Sequence, residues 1–147
     1  MIEVETIIAE AAKLPLKDAA FLLWRRRPRL DTLEGPAMTR EELRMARALS
    51  PEEVYAEVQY KRDHAEDGPT FDRLKRAHPR ADDTEAKLAI IAAVRFDDAC
   101  FKYFTADSTD YWKRVVRAVA LAQRQENPGY LESTYEAARD HVAYYIK

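Results

Sequence analysis

The residues best suited to chemistry in this chain are one cysteine, three histidines and several groups of charged side chains. The cysteine, Cys100, stands among apolar residues in the stretch DDACFKYF. A nucleophilic cysteine needs an accessible thiolate with a lowered pKa, and nothing near Cys100 in the sequence supplies either. We therefore predict that Cys100 is a buried, unreactive side chain.

The histidines are His64, His78 and His141, and their spacing does not suit a metal site. No His-x-x-x-His or Glu-x-x-His pair occurs, although helical metal sites usually depend on such spacings. The sequence also lacks a phosphate-binding glycine loop, a nucleophile elbow and a Cys-x-x-Cys motif. We expect no bound metal, no cofactor and no catalytic residue, although an enzyme assembled from scattered residues stays open.

Two basic clusters are candidates for binding nucleic acid. They are Arg25, Arg26, Arg27 and Arg29, which follow Trp24, and Lys113, Arg114, Arg117 and Arg124, on the outer face of a predicted helix over 109–125. Arginines beside an exposed aromatic ring can bind phosphates and stack on a base. The alternative is a solvated surface whose charges pair with acids elsewhere. We favour the alternative because the net charge is -2, whereas nucleic-acid-binding domains are usually strongly basic.

The last predicted helix, over 128–147, carries four tyrosines that indicate an interface. They are Tyr130, Tyr135, Tyr144 and Tyr145. Tyrosine is enriched at interfaces because its ring is apolar and its hydroxyl group is polar. We expect a homodimer in which this helix packs partly on a second subunit. The alternative is that its apolar face only completes the core of its own domain.

An acid and a histidine interrupt the apolar faces of two predicted helices. Asp97 lies 13 residues past Thr84, and His141 lies 13 residues past Pro128, where these helices are predicted to begin. In an up-down-up bundle the two helices run parallel, so at ~1.5 Å per residue both side chains stand about 20 Å along them. A buried carboxylate needs a partner. We predict that Asp97 is buried and bonded to His141, or else to a core tyrosine or arginine, as a structural pair rather than a catalytic one.

Helices must position all of these residues, and the stretch 84–105 is central among them. Its apolar residues cover roughly 240° of the helical wheel, so neighbours must cover it from several sides. Long helices over 84–105, 109–125 and 128–147 predict an up-down-up arrangement. We expect an all-α fold: a helical bundle of three long C-terminal helices with three to five shorter N-terminal helices packed against it. The chain is treated as one domain over 1–147, and a boundary near 66–83 stays open.

Prolines and capping residues define the predicted limits of the helices. The segment 28–38 is predicted to be a loop, because Pro28 follows a cationic helix end and Gly35-Pro36 stands near its close. Capping boxes at Thr39 and Ser50 predict two helices that meet at Ser50-Pro51. The second of these is expected to bury Val54, Tyr55 and Val58. The other predicted caps are Asp83 or Thr84, Asp107 or Ser108, and Asn127.

The composition limits the classes of protein to which this chain could belong, but it does not identify a function. The chain has 147 residues, of which 47% are apolar, so a single folded domain is expected. One cysteine implies no oxidising compartment, and the N-terminus is acidic where a signal peptide needs positive charge. We expect a cytoplasmic, non-catalytic protein that binds another protein and forms a homo-oligomer. Nucleic-acid binding through the basic clusters is the first alternative, and an enzyme or small-ligand binder with a pocket between helices is the second.

Overall fold

The computed structural model describes residues 2–35, 39–105 and 110–146, and most of them are helical. The helices are α1 (Ile2–Ala12), α2 (Leu16–Arg25), α3 (Arg27–Glu34), α4 (Arg40–Arg47), α5 (Pro51–Asp63), α6 (Pro69–Ala77), α7 (Asp83–Lys102), α8 (Tyr111–Glu126) and α9 (Glu132–Ile146). The predicted all-helical fold is confirmed, and these ranges contain no strand. Among the described helices, none combines the length and the apolar character needed to cross a bilayer.

Helix α7 lies at the centre of the core. It packs against α2 on one side and α8 on another, and α9 and α6 also contact it. The fully buried Phe96 places its ring centroid 5.2–5.7 Å from those of Phe21, Tyr130 and Tyr135. The short helix α2 is buried from Asp18 to Trp24, so it contributes as much to the core as the longer C-terminal helices do.

Helix α3 occupies most of the segment that was predicted to be a loop. Pro28 lies in the first turn of this helix, where the missing N–H group needs no partner. Leu30 is buried in the core. The loop prediction is therefore wrong for 28–34, because a proline after a cationic helix end can begin a new helix as well as mark a stop. Residues 36–38 lie outside the described part of the chain.

Helices α4 and α5, with the residues that cap them, form a segment over 39–63 that we call the arm. Ser50 and Glu53 make a complete capping box, and α4 ends before them, so the predicted joint at Ser50-Pro51 is confirmed. No described side chain of α4 or α5 is buried. Val54, Tyr55 and Val58 are 45%, 71% and 52% exposed, so their predicted burial is wrong. Helical periodicity shows that a face is apolar, but it does not show what covers that face.

Two predicted helix starts are also corrected. Asp82 caps α7 by accepting a hydrogen bond from the N–H group of Thr84, one residue before the predicted caps. Asp110 caps α8 in the same way, while the predicted caps Asp107 and Ser108 lie outside the described residues.

Asn127 ends α8 instead of beginning the last helix. Its φ of 42° lies in the left-handed region, which asparagine tolerates better than most residues. The chain then reverses through Pro128 and Gly129, and α9 begins only at Glu132. The prediction that Asn127 caps the last helix is wrong, because an Asn-Pro-Gly turn resembles a cap followed by a first-turn proline.

Candidate functional site

Asp97, in the middle of α7, is 2% exposed and connects three other helices. Its Oδ1 lies 3.0 Å from Nε2 of His141 on α9, and its Oδ2 accepts a hydrogen bond of 3.0 Å from Nε1 of Trp24 on α2. Arg62, at the end of α5, places Nη2 3.7 Å from the same Oδ2 and also contacts the carboxylate of Asp98. We call Asp97, His141, Trp24 and Arg62 the Asp97 network.

The Asp97 carboxylate is held in its ionised form. Burial alone raises its pKa, but the hydrogen bond and charge of His141, the hydrogen bond from Trp24 and the charge of Arg27 together hold the pKa below its ordinary value. The structure thus brings Asp97 and His141 together. The prediction that both side chains stand about 20 Å along their helices is wrong for His141, since α9 begins at Glu132 and not at Pro128. The contact forms because α7 and α9 approach each other at these two residues.

A groove of about 520 Å³ lies between the α2–α3 junction and the C-terminal half of α9. Its lining residues are Arg25, Arg26, Pro28, Arg29, Ala137, Asp140, His141, Tyr144 and Tyr145. His141 therefore belongs both to the Asp97 network and to the wall of the groove. The ring of His141 also lies 4.9 Å from that of Tyr145, measured between centroids.

The first basic cluster is divided by the fold. Arg27 lies on the far side of the α2–α3 junction, where its guanidinium carbon is 3.6 Å from the centroid of the Trp24 ring. Arg29 lines the groove but pairs with Glu3 at 2.7 Å. Trp24 is only 3% exposed, so it cannot stack on a base as the nucleic-acid interpretation required.

Arg25 and Arg26 are the arginines of the groove that lack an ion pair with any described residue. The Nε atom of Arg25 is buried and has no hydrogen-bond partner within the described chain. Burial and the neighbouring charge of Arg26 lower the pKa of Arg25, while Glu10 and Asp140 act in the opposite direction. A lowered guanidinium pKa indicates a positive charge that its surroundings compensate incompletely.

The second basic cluster lies on α8 and does not line the groove. Arg114 donates to the carbonyl oxygen of Thr105 at 3.3 Å and stacks near the ring of Phe104. Arg117 bonds to Oγ1 of Thr105 at 2.5 Å. Lys113 and Arg124 are exposed. Two members of this cluster, Arg114 and Arg117, are thus engaged with Phe104 and Thr105.

The four predicted interface tyrosines fall into two pairs. Tyr130 and Tyr135 are buried in the core, where the Tyr135 hydroxyl accepts a hydrogen bond from the N–H group of Tyr130. Burial raises the pKa of Tyr130 well above its ordinary value. Only Tyr144 and Tyr145, which are 68% and 52% exposed, are available to a ligand or a partner.

Asp18 on α2 was overlooked in the sequence. Its Oδ2 accepts hydrogen bonds from the N–H group of Leu131 at 2.8 Å and from the hydroxyl of Thr134 at 2.6 Å. A negative charge at the start of α9 is electrostatically favourable. The available signal was a single acid followed by an unbroken apolar run in α2. Cys100 is buried as predicted, and burial raises the pKa of its thiol.

A second cavity, the cleft, has a volume of about 770 Å³ and lies where α3, α6 and the end of α5 meet. The buried Arg73 pairs there with Asp31 at 2.8 Å and with Glu34 at 2.9 Å, and its Nη1 has no partner among the described residues. The charged residues that line the cleft are Arg27, Asp31, Glu34, Lys61, Asp67, Asp72, Arg73 and Arg76. Four of them are basic and four are acidic, so the lining of the cleft has no net charge, in contrast to that of the groove. The described residues contain no group of His, Cys, Asp and Glu side chains suited to a metal ion.

Comparisons of this chain with protein-family models, with curated proteins and with solved structures each found no match.

Proposed function

We propose that this protein is a non-catalytic protein that binds a second copy of itself through the arm. The observation that carries the proposal is the apolar surface of the arm. The large side chains that it exposes include Leu43, Met45, Val54, Tyr55 and Val58, while the exposed Tyr60 lies on the opposite side of α5 from Val58. Concentrated apolar surface of this kind is typical of protein–protein interaction sites.

The apolar row of α5 is continuous with the part of this helix that touches the rest of the molecule. Val54, Val58 and Arg62 are spaced four residues apart, so they lie on one face of the helix. Arg62 contacts Asp97 and Asp98 on α7. The same face therefore runs from the core outward, and its outer two positions have no cover within the described chain.

The charges of the arm suit a second copy as its occupant. Helix α4 carries three arginines and two glutamates, a net charge of +1, while α5 carries four acids and two bases, a net charge of -2. Around a two-fold axis, α4 of each copy can face α5 of the other. Opposite charges then meet twice in a self-complementary contact.

In this proposal the rest of the molecule is the platform to which the arm is attached. In this proposal the three long helices α7, α8 and α9 form a bundle with α2, and Arg62 connects the root of the arm to Asp97 on α7. The proposed location is the cytoplasm, where the lone Cys100 stays reduced without a disulfide partner.

Light scattering after size-exclusion chromatography tests the proposal. At tens of micromolar the wild-type protein is expected to be a dimer. The substitution Val58→Glu places a charge in the apolar row and is expected to raise the dissociation constant at least about tenfold, because a buried unpaired charge is costly.

The matched control is Ala56→Glu, which adds the same charge on the opposite side of α5. This variant is expected to remain a dimer. Tyr144→Glu examines the alternative interface predicted for the last helix. A monomeric wild-type protein, or a dimer that Val58→Glu leaves intact, contradicts the proposed interface; loss of the dimer in Tyr144→Glu alone assigns it to α9 instead.

Nucleic-acid binding is the second candidate, and one observation favours it. Lys113 and Arg124 are exposed on α8, and neither forms an ion pair with a described residue. If they contact phosphates, affinity for an oligonucleotide falls steeply with salt, and replacing both lowers the salt dependence. Salt-insensitive binding, or none at low salt, excludes this candidate.

A further inference from the structure

We propose that the groove beside α9 binds a small phosphate ester, with the phosphate group at Arg25 and Arg26 and its organic part against Tyr144 and Tyr145. This site uses no residue of the arm and is separate from the proposed self-association.

The charges of the groove favour an anion. Arg25, Arg26 and Arg29 line it against a single acid, Asp140. Arg29 is already paired with Glu3, which leaves two arginines facing one carboxylate. Glu10 reduces the excess charge at Arg25 only partly, since burial and Arg26 still lower the pKa of Arg25.

The guanidinium groups are also free of competing hydrogen bonds. No described residue accepts a hydrogen bond from the guanidinium group of Arg25 or Arg26; the Nε atom of Arg25 is buried, whereas its Nη atoms are not. Arginine presents a planar array of donors that matches the oxygens of a phosphate group. A phosphate in the groove therefore accepts hydrogen bonds from the Nη atoms of the two arginines and supplies a negative charge beside them.

The aromatic side of the groove provides the surface against which the organic part of the ligand would lie. The rings of Tyr144 and Tyr145 lie 5.0 Å apart between centroids, nearly perpendicular to each other. His141 stands beside Tyr145, and its bond to Asp97 fixes the position of its ring. A volume of about 520 Å³ is within the usual range of small-ligand sites. The groove therefore fits a phosphate ester that carries a flat ring.

Isothermal titration calorimetry with adenosine 5′-monophosphate tests this site at fixed protein concentration. Saturable binding of one molecule per chain is expected, with weaker binding of inorganic phosphate and of adenosine. Arg26→Gln is expected to weaken binding at least about tenfold, because it removes charge-assisted hydrogen bonds. Tyr144→Ala is expected to weaken it severalfold while leaving the affinity for inorganic phosphate unchanged.

The matched control is Arg80→Gln, which removes an exposed arginine outside the groove and is expected to leave binding unchanged. Circular dichroism verifies that each variant is folded. Absence of binding to the wild-type protein, or equal losses in Arg26→Gln and Arg80→Gln, overturns the site. Equal affinity for inorganic phosphate and the nucleotide overturns the role of the tyrosines. Tighter, strongly salt-dependent binding of oligothymidylate overturns the small-ligand assignment in favour of nucleic acid.

Discussion

The arm differs from the rest of the molecule, which we call the body, in how its polar groups are paired and its apolar side chains are covered. Contacts between distant segments do both in the body, whereas the arm pairs its polar groups locally and leaves its apolar side chains exposed. In the body, Phe96 is surrounded by three aromatic rings, and the buried Asp97 carboxylate has partners on α2 and α9 in addition to Arg62 at the root of the arm. In the arm, the Thr39 cap and the Ser50–Glu53 capping box satisfy the helix starts locally, but no described side chain of α4 or α5 is buried.

This difference separates two sources of helical structure. The arm helices depend on local signals, such as the Ser50 cap and the i,i+4 pair of Glu57 with Lys61. Such signals alone make short helices only marginally stable in water. The body helices are stabilised by long-range packing.

Removing an aromatic ring from the centre of the core should distinguish the body from the arm most clearly. Phe96→Ala is expected to lower the free energy of unfolding by about 3–5 kcal/mol, because it leaves a cavity among Phe21, Tyr130 and Tyr135. Tyr55→Ala in the arm should change it by less than about 0.5 kcal/mol. Urea unfolding at a protein concentration below that of dimer formation measures both values. Equal effects would show that the arm belongs to the folded core.

Removing the Asp97 carboxylate should have the next largest effect. Asp97→Ala leaves the indole N–H group of Trp24 and the ring of His141 without their acceptor, and we expect a loss of about 3 kcal/mol in the free energy of unfolding. The control is Asp98→Ala, since this neighbouring side chain is half exposed and its pair with Arg62 should contribute less than about 1 kcal/mol. Similar losses in the two variants would contradict the central place given to Asp97.

The stabilising effect of the Asp97 carboxylate should decrease as the pH falls. Its pKa is lower in the folded protein than its ordinary value of 3.8, so its contribution is complete at higher pH and is lost as pH falls through the folded-state pKa. The slope cannot exceed about 1.4 kcal/mol per pH unit for one proton. The stability difference between wild type and Asp97→Asn should therefore shrink on acidification below about pH 4. If the stability difference between wild type and Asp97→Asn stays constant or grows on acidification, the folded protein does not stabilise the ionised form of this carboxylate.

The smallest effect is expected in the arm itself. Ser50→Ala removes the side-chain acceptor of the capping box and should destabilise α5 by about 1 kcal/mol. If the arm opens separately from the body, amide hydrogen exchange in α5 should become about fivefold faster while global unfolding is unchanged. Thr39→Ala, which removes the cap of α4, should accelerate exchange in α4 and leave α5 unaffected. A change in global unfolding with either variant would mean that the arm and the body unfold together.

Local signals in the sequence were sufficient for most of the fold. The Ser50-Pro51 joint follows from capping chemistry, and the central place of α7 follows from the width of its apolar surface. Pro28 and the turn at Asn127 were misread because proline and asparagine occur both at the starts and at the ends of helices. Only the neighbouring backbone distinguishes these two uses.

The candidate site was less accessible to sequence reasoning because its parts come from distant segments. Asp97 and His141 were singled out because each interrupts an apolar face, and Asp18 could have been found on the same ground. The division of the first basic cluster could not be predicted. It depends on the direction in which α3 leaves α2, which places Arg27 over the Trp24 ring and Arg25 in the groove.

The Asp97 carboxylate joins the wall of the groove to the root of the arm. One of its oxygens bonds His141 in the wall of the groove, and the other is shared by Trp24 and by Arg62 at the root of the arm. If an anion in the groove moves His141 away from Asp97, the carboxylate comes to depend more on Arg62. Anion binding and self-association would then be coupled, and each would change the affinity of the other by the same factor, because coupling between two binding equilibria is reciprocal.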